Sequence, residues 1–179
     1  MLRGNHECRL LTSHFNFMDE VVHKYDSEVY YMFMEFFDVL PIAAFLENDI
    51  GRYLLVHGGI SPELLDLSQI NEIDRFVEPP GEGLLCDLLW ADPIDETTGD
   101  GLDDEEMLEW DAVDYVPNPD RGCSWVFGYS AITEFLEQLN LVSVIRAHEV
   151  QKAGFKEHRF LKQREHAHLI TVFSAPNYW

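Results

Sequence analysis

The run Arg3-Gly4-Asn5-His6-Glu7 lies near the start of the chain, and the interpretation of the whole fold begins there. Gly4 lets the backbone turn sharply, because a residue without a Cβ atom reaches conformations that are closed to other residues. Asn5 brings a carboxamide oxygen that can bind a metal, and His6 brings an imidazole that titrates near neutral pH. One such run is weak evidence for a metal site on its own, so its interpretation depends on two later histidines.

Those two histidines each follow an apolar run with the character of a buried strand. His57 stands in Val56-His57-Gly58-Gly59, and His148 stands in Arg146-Ala147-His148-Glu149. Open α/β sheets usually place their site residues at the carboxyl ends of such strands. Imidazole with oxygen donors suits iron, zinc or manganese better than calcium or magnesium. We therefore expect Asn5, His57 and His148 to converge on one metal-bearing pocket; the alternative is a structural role for each histidine.

Other polar side chains could act on a substrate. As an imidazolium, His6 could give a proton to a departing alkoxide, although a capping or surface histidine is the alternative. Arg121 could hold a phosphate through two parallel hydrogen bonds, as could Arg3 and Arg146, which also lie in motif-like runs. A surface ion pair is the alternative for any single arginine. Tyr178 could donate its hydroxyl to a substrate oxygen or be simply half-buried.

Length and composition predict one globular domain over residues 1–179, with 46% hydrophobic residues and a formal net charge of -21. This charge argues against nucleic acid and anionic membrane surfaces as partners. No apolar run approaches the length of a membrane span, and the first residues lack the apolar core of a signal peptide. Three cysteines without a CxxC pair indicate reduced thiols. We expect a cytoplasmic protein.

Acidic residues concentrate in one segment of the chain. Twelve of the 33 lie between Asp92 and Asp120, a stretch without lysine or arginine. We predict an acidic loop at about residues 94–120, which is uncommonly long for a compact domain and in which residues 105–110 could form one helical turn.

Hydrophobic spacing elsewhere predicts alternating helices and strands. One amphipathic helix is expected over residues 11–25, with Leu11, Phe15, Met18, Val22 and Tyr25 on its buried stripe. A second should begin at a cap formed by Asp26 or Ser27, with its apolar positions at Val29, Met32, Phe33, Phe36 and Phe37. A third is expected over residues 131–139. Strands are expected over residues 42–46, 52–56, 141–145, 155–160 and 169–173.

Four runs together resemble the phosphoprotein phosphatases, the metal-dependent protein serine/threonine phosphatases. They are Arg3-Gly4-Asn5-His6-Glu7, His57-Gly58-Gly59, Arg146-Ala147-His148-Glu149 and Ser174-Ala175-Pro176-Asn177-Tyr178, in that order. Within that family the chain is most similar to the calcineurin type. That similarity is carried by residues 74–80, 86–93 and 121–124.

The resemblance implies an α/β fold: a partial calcineurin-like metallophosphoesterase β-sandwich flanked by helices. It also implies two metals, usually iron with zinc or manganese, that activate a water to attack phosphorus in line. Carried over by position, three residues would bind one metal and three would act on substrate. The metal ligands would be Asn5, His57 and His148, with His6 as general acid, Arg121 on the phosphate and Tyr178 at the pocket edge.

The chain also departs from the family pattern. It contains neither the Gly-Asp-x-His-Gly run nor the Gly-Asp-x-Val-Asp-Arg-Gly run that supplies the ligands of the first metal. Only one of the two metal sites is therefore partly encoded. The segments that bind the calcineurin-type regulatory subunit and calmodulin are also missing, so we expect a domain shortened at both ends. Phosphoproteins remain the expected substrates.

Three interpretations of function follow. The first is a calcineurin-type phosphatase that is weak or inactive as an isolated chain. The second is a non-catalytic, phosphatase-like remnant that acts as a binding module through the acidic loop or an exposed sheet edge. The third is a piece of a longer enzyme. An unpaired sheet edge and exposed apolar surface would make the isolated chain poorly soluble.

Overall fold

The structure is a computed structural model that describes residues 1–163, 165–175 and 178. The described residues form seven α-helices: α1 (Arg9–His14), α2 (Phe17–Lys24), α3 (Ser27–Val39), α4 (Gln69–Glu72), α5 (Leu84–Trp90), α6 (Asp104–Asp111) and α7 (Tyr129–Gln138). They also form eight strands: β1 (Ala43–Glu47), β2 (Arg52–Val56), β3 (Asp92–Pro93), β4 (Tyr115–Pro117), β5 (Trp125–Phe127), β6 (Ser143–Arg146), β7 (Phe155–His158) and β8 (Leu169–Val172). None of these helices is long and apolar enough to span a bilayer.

The larger sheet has the strand order β1-β2-β6-β8-β7. Its three central strands run parallel, with Leu54 opposite Val144 and Ile145 opposite Ile170, whereas β1 and β7 pair antiparallel at the two edges. Parallel strands end at the same edge of a sheet, so the residues after β2 and after β6 meet there. These are the segments that carry the two motif histidines.

The second sheet has the order β3-β5-β4. The short strand β3 runs parallel to β5, and β4 pairs antiparallel with β5. One hydrophobic core joins this sheet to the larger sheet and to α5 and α7, with Leu54, Leu89, Phe127, Ile132 and Leu169 completely buried. Each fully buried leucine contributes roughly 1.5–3 kcal/mol relative to an exposed one. The mixed α/β architecture confirms the predicted fold class.

The single helix predicted over residues 11–25 is wrong. Asn16 adopts a left-handed conformation with φ of 66° and separates α1 from α2, a conformation that asparagine tolerates better than most residues. The turn rotates α2, so Phe15, Val22 and Tyr25 are exposed rather than buried. Val21 instead enters a small satellite core with Tyr30 and Met34 of α3.

Helix α3 begins as predicted but buries a different face. The Asp26 side chain accepts a hydrogen bond from the Val29 backbone N–H, which satisfies an N-terminal donor of the helix. Met32 and Phe36 are largely exposed, although the spacing of apolar residues placed them inward. Asp38 lies on the buried side because it pairs with the side chains of Arg3 and Arg9.

The predicted acidic loop at residues 94–120 is also wrong, because this segment is folded. It contains a 3-10 turn at Glu96–Gly99, helix α6 with a capping box formed by Asp103 and Glu106, and strand β4. Trp110 is buried and donates its indole N–H to Thr98 at 2.9 Å. An apolar anchor therefore fixes a segment whose charge alone indicates a solvated loop.

The other predicted elements are confirmed, with ends that differ from the prediction by at most two residues. They are β1, β2, β6, β7, β8 and α7. Ile132, Phe135, Leu136 and Leu139 of the α7 segment are buried as predicted. All three cysteines are free thiols. Phe45 on edge strand β1 is about half exposed, and poor solubility of the isolated chain stays a prediction.

Candidate metal centre

Three side chains from distant parts of the chain meet at the carboxyl edge of the larger sheet. His57 follows β2 directly, and its Nε2 lies 2.8 Å from Oδ1 of Asn5. His148 follows β6, and its ring centroid lies 5.1 Å from that of His57. The Ala147 N–H donates to the His57 carbonyl at 3.0 Å, which ties the two strand ends together. The structure thus brings together all three side chains predicted to bind a metal.

The turn that carries Asn5 packs against His57 because residue 4 has no side chain. A Cβ atom at Gly4 would lie 2.9 Å from the His57 ring and 2.6 Å from the Glu7 carboxylate. That carboxylate accepts the Gly4 N–H at 2.8 Å and closes the turn. The fully buried Arg3 guanidinium then anchors it, with Nε donating to the Glu7 carbonyl at 2.9 Å.

His148 holds an unusual backbone conformation and leaves a ring nitrogen without a partner. Its φ of 63° lies in the left-handed region, which residues other than glycine seldom occupy and which often marks functional sites. Its side chain is 3% exposed. Its Nε2 makes no hydrogen bond with the described residues. A buried nitrogen without a partner is unfavourable unless a ligand meets it.

Both histidines are held neutral by their surroundings. Burial, followed by the positive charges of Arg146, His6 and Arg121, lowers the pKa of His57 to about 4. Burial, followed by the Arg146 charge, likewise lowers the pKa of His148. Neutral imidazole is the form that binds metals, so the ligand form prevails at neutral pH without help from a metal.

The donor set fits one metal of the kind the sequence indicated. Two neutral imidazoles and one amide oxygen suit iron, zinc or manganese, and the His148 ring that carries the unpartnered Nε2 lies 5.1 Å from the His57 ring. Among residues 1–163, 165–175 and 178, no cluster of three or more His, Cys, Asp or Glu side chains could hold a metal. Asn5 is not one of these residue types, so the predicted ligands, with two histidines, do not form such a cluster.

Arg121 lies beside this group and is held by a carboxylate that the sequence analysis missed. Asp92 accepts Nε of Arg121 at 2.7 Å, Nη2 of Arg146 at 2.9 Å and Nδ2 of Asn118 at 3.0 Å. Its Oδ1 lies 3.9 Å from Nε2 of His148. Although burial raises the pKa of Asp92, the hydrogen bond from Arg121 and the charge of Arg146 bring it below its ordinary value.

Arg121 also differs in exposure from the other two arginines in motif-like runs. The Arg3 and Arg146 side chains are completely buried in bonds to the protein, whereas that of Arg121 is 29% exposed. Of the three, Arg121 is the one placed to reach a ligand.

His6 and Tyr178 are placed less closely. His6 is exposed, and its ring lies 5.1 Å from that of Phe15. Its charge contributes to the lowered pKa of His57. Tyr178 is 60% exposed and its ring packs edge-on against Phe173 at 5.0 Å. The structure does not record it in contact with the histidines. Pro176 and Asn177, which precede it in the predicted motif, lie outside the described residues.

Comparison with known proteins supports the same family. The model of the calcineurin-like phosphoesterase family matches residues 1–152. Serine/threonine-protein phosphatase 2B catalytic subunit A1 of Saccharomyces cerevisiae is 50% identical over 178 residues, which are 99% of this chain and 31% of that protein. Catalytic subunit A2 of the same organism is 46% identical over 195 residues, covering 99% of this chain and 32% of the relative. The chain thus spans about a third of the length of these relatives.

A solved structure shows a similar fold. A protein serine/threonine phosphatase from Saccharomyces cerevisiae, described as similar to human phosphatase PP5, superimposes with a TM-score of 0.78 at 34% identity. The match covers 99% of this chain and 48% of that structure. The chain therefore belongs to the calcineurin-like phosphoesterase family, within its branch of phosphoprotein phosphatases.

Proposed function

We propose that the chain carries part of the active site of a calcineurin-type protein serine/threonine phosphatase, which hydrolyses phosphoserine and phosphothreonine in proteins. The observation that supports this most is the meeting of Asn5, His57 and His148 from three segments that are far apart in sequence. The names of these relatives, all serine/threonine phosphatases, support the proposed substrate class.

Asn5, His57 and His148 would hold one metal, and the family would supply a second from ligands that are not among these residues. The metals would be iron with zinc or manganese. When bound, such metals lower the pKa of water and offset charge on phosphoryl oxygens. The chain's own contribution is to keep both imidazoles neutral and to present the amide oxygen beside them.

Arg121 would bind the phosphate of the substrate. Its guanidinium is partly exposed, and its side chain is already oriented by Asp92. Two parallel N–H donors match a phosphate better than the single charge of a lysine does. Binding energy gained here would hold the phosphorus atom close to the metal ligands.

His6 would give a proton to the serine or threonine oxygen as it departs. Its exposure allows it to reach a bound substrate, and its position next to Asn5 keeps it beside the metal ligands. A donor of this kind contributes roughly 100- to 10,000-fold to rate. Tyr178, proposed at the edge of the pocket, would add a hydroxyl donor to a substrate oxygen.

The test is metal-dependent turnover of a phosphoserine peptide by the purified chain. We expect slow release of phosphate that requires added iron and zinc or manganese and stops on chelation, because only one metal site is partly present. The variant Arg121→Ala should reduce this release further, whereas Arg52→Ala, at an exposed arginine of β2, should not. Release at the rate of a complete phosphatase, with two tightly bound metals, would contradict the weak activity proposed here.

The same assay separates the phosphatase from a binding module. Metal bound with no turnover, together with capture of a phosphoprotein, would favour the non-catalytic alternative. Absence of both metal binding and turnover would contradict the proposed active site altogether.

A further inference from the structure

We propose that Asp92 is a positioning residue that orients Arg121 toward the phosphate of the substrate, an inference that rests on the proposed function. Asp92 is buried at the start of β3. Its Oδ2 accepts Arg121 Nε and Asn118 Nδ2, and its Oδ1 accepts Arg146 Nη2. Both oxygens are therefore engaged by donors from three separate segments.

The contacts fix the plane of the Arg121 guanidinium. Nε donates to Oδ2 at 2.7 Å, and Nη2 lies 3.4 Å from Oδ1. Nη1 makes no hydrogen bond with the residues that the structure describes. Two points of attachment on one carboxylate hold a planar group in one orientation. Nη1 and the second N–H of Nη2 are the donors of Arg121 left to meet a ligand.

The loop that carries Arg121 is held by the same carboxylate. Asn118 donates to Asp92 at 3.0 Å, and its own Oδ1 accepts the Arg121 N–H at 3.3 Å. Asp92, Asn118 and Arg121 also line a cavity of about 540 Å³, together with Glu149, Lys156 and His158. Asp92 thus holds the side chain of Arg121 directly and its backbone through Asn118. Both lie beside open space that can admit a substrate.

Charge offers a competing explanation with the opposite consequence. Asp92 and Glu149 neutralise Arg121 and Arg146, since Glu149 accepts Arg146 Nη1 at 2.7 Å. If Asp92 acted only through its charge, removing that charge would make the cluster more positive and strengthen phosphate binding. If Asp92 positions Arg121, removing it should weaken phosphate binding despite the gain in positive charge.

The variant Asp92→Asn separates the two explanations. An asparagine keeps one acceptor oxygen, but its NH2 group must face an N–H donor of Arg121, Asn118 or Arg146. Glu149→Gln is the matched control, because it removes the same charge from the same cluster without contacting Arg121. Positioning predicts weaker phosphate binding for Asp92→Asn but not for Glu149→Gln, a difference that neither charge alone nor general loss of structure predicts.

The measurement is a titration of the zinc-loaded chain with inorganic phosphate, followed by ¹H–¹⁵N signals of the arginine side chains. We expect Asp92→Asn to weaken phosphate binding about tenfold, as loss of one charge-assisted hydrogen bond does. Glu149→Gln should leave it unchanged or tighter. The Arg121 Nε–H should exchange slowly with solvent in the wild type and much faster in Asp92→Asn.

Three results would contradict the proposal. Equal or tighter phosphate binding by Asp92→Asn would show that Asp92 acts through charge. If that variant fails to fold, the wild type still provides a test. Arg9 is the reference, because it bonds Asp38 only through Nη1 and Nη2. An Arg121 Nε–H that exchanges with solvent as fast as the Arg9 Nε–H would rule out the fixed orientation. A wild type that binds zinc but no phosphate would overturn the role of Arg121 itself, whereas failure to bind zinc would overturn the proposed function.

Discussion

Replacing His148 with alanine is expected to weaken zinc binding by at least about 100-fold, since loss of an outer partner of a metal ligand already costs about 10- to 100-fold. The reason is the unpartnered Nε2, which lies in a buried environment beside His57 and Asn5. Isothermal titration of the metal-free chain with zinc measures the change. The control is His23→Ala, at an exposed histidine of α2, which should bind zinc like the wild type.

The metal-free His148→Ala variant should nevertheless remain folded. The Nε2 that is lost with the ring makes no hydrogen bond with the described residues, and the ring packs against Trp90 and His57, so we expect the loss to be mainly one of packing. Circular dichroism of the metal-free variant checks this point. Retained zinc affinity in a folded His148→Ala chain would exclude His148 as a ligand.

Replacing Gly58 with alanine is expected to destabilise the chain more than any surface change. A Cβ atom there would lie 2.5 Å from the Leu89 carbonyl carbon and 2.5 Å from the Trp90 nitrogen. Both are backbone atoms at the end of α5, and the Gly58 N–H donates to the Leu88 carbonyl at 2.8 Å. Relief requires α5 to move from the core, so we expect a loss of about 3 kcal/mol and a fall in Tm of about 6–12 °C.

Gly81→Ala is the matched control for this substitution. Nothing lies within 4 Å of a Cβ atom at Gly81, and its backbone is not in the positive-φ region. Thermal unfolding of both variants should show a large fall for Gly58→Ala and a change of less than about 1 kcal/mol for Gly81→Ala. Equal stability of the two variants would mean that α5 does not pack on the turn after His57 as described.

The meeting of Asn5, His57 and His148 was predictable from sequence because each lies in a short motif, and the two histidines follow strands. Parallel pairing of β2 with β6 brings His57 and His148 to the same edge of the sheet. The order of the strands along the sequence does not reveal this pairing. Asp92 was missed for a physical reason. Its role depends on Arg121 and Arg146, which lie 29 and 54 residues away and meet it only in the tertiary structure.

The errors in the fold occur where the spacing of apolar residues or the charge of a segment does not determine its conformation. Residues 11–25 have helical spacing throughout, yet the left-handed Asn16 divides them and turns Phe15 outward. Residues 94–120 have the charge of a solvated loop, yet burial of Trp110 orders them. Periodicity carries no information about the left-handed Asn16, and charge carries none about the burial of Trp110.

X-ray absorption at the zinc edge of the zinc-loaded wild-type chain tests most directly whether Asn5, His57 and His148 share one ion. The account predicts the scattering pattern of two imidazoles at about 2.0–2.1 Å with oxygen completing the shell, and the loss of one imidazole from that pattern in His57→Ala. A shell containing sulfur, or one that keeps both imidazoles after that substitution, would contradict it.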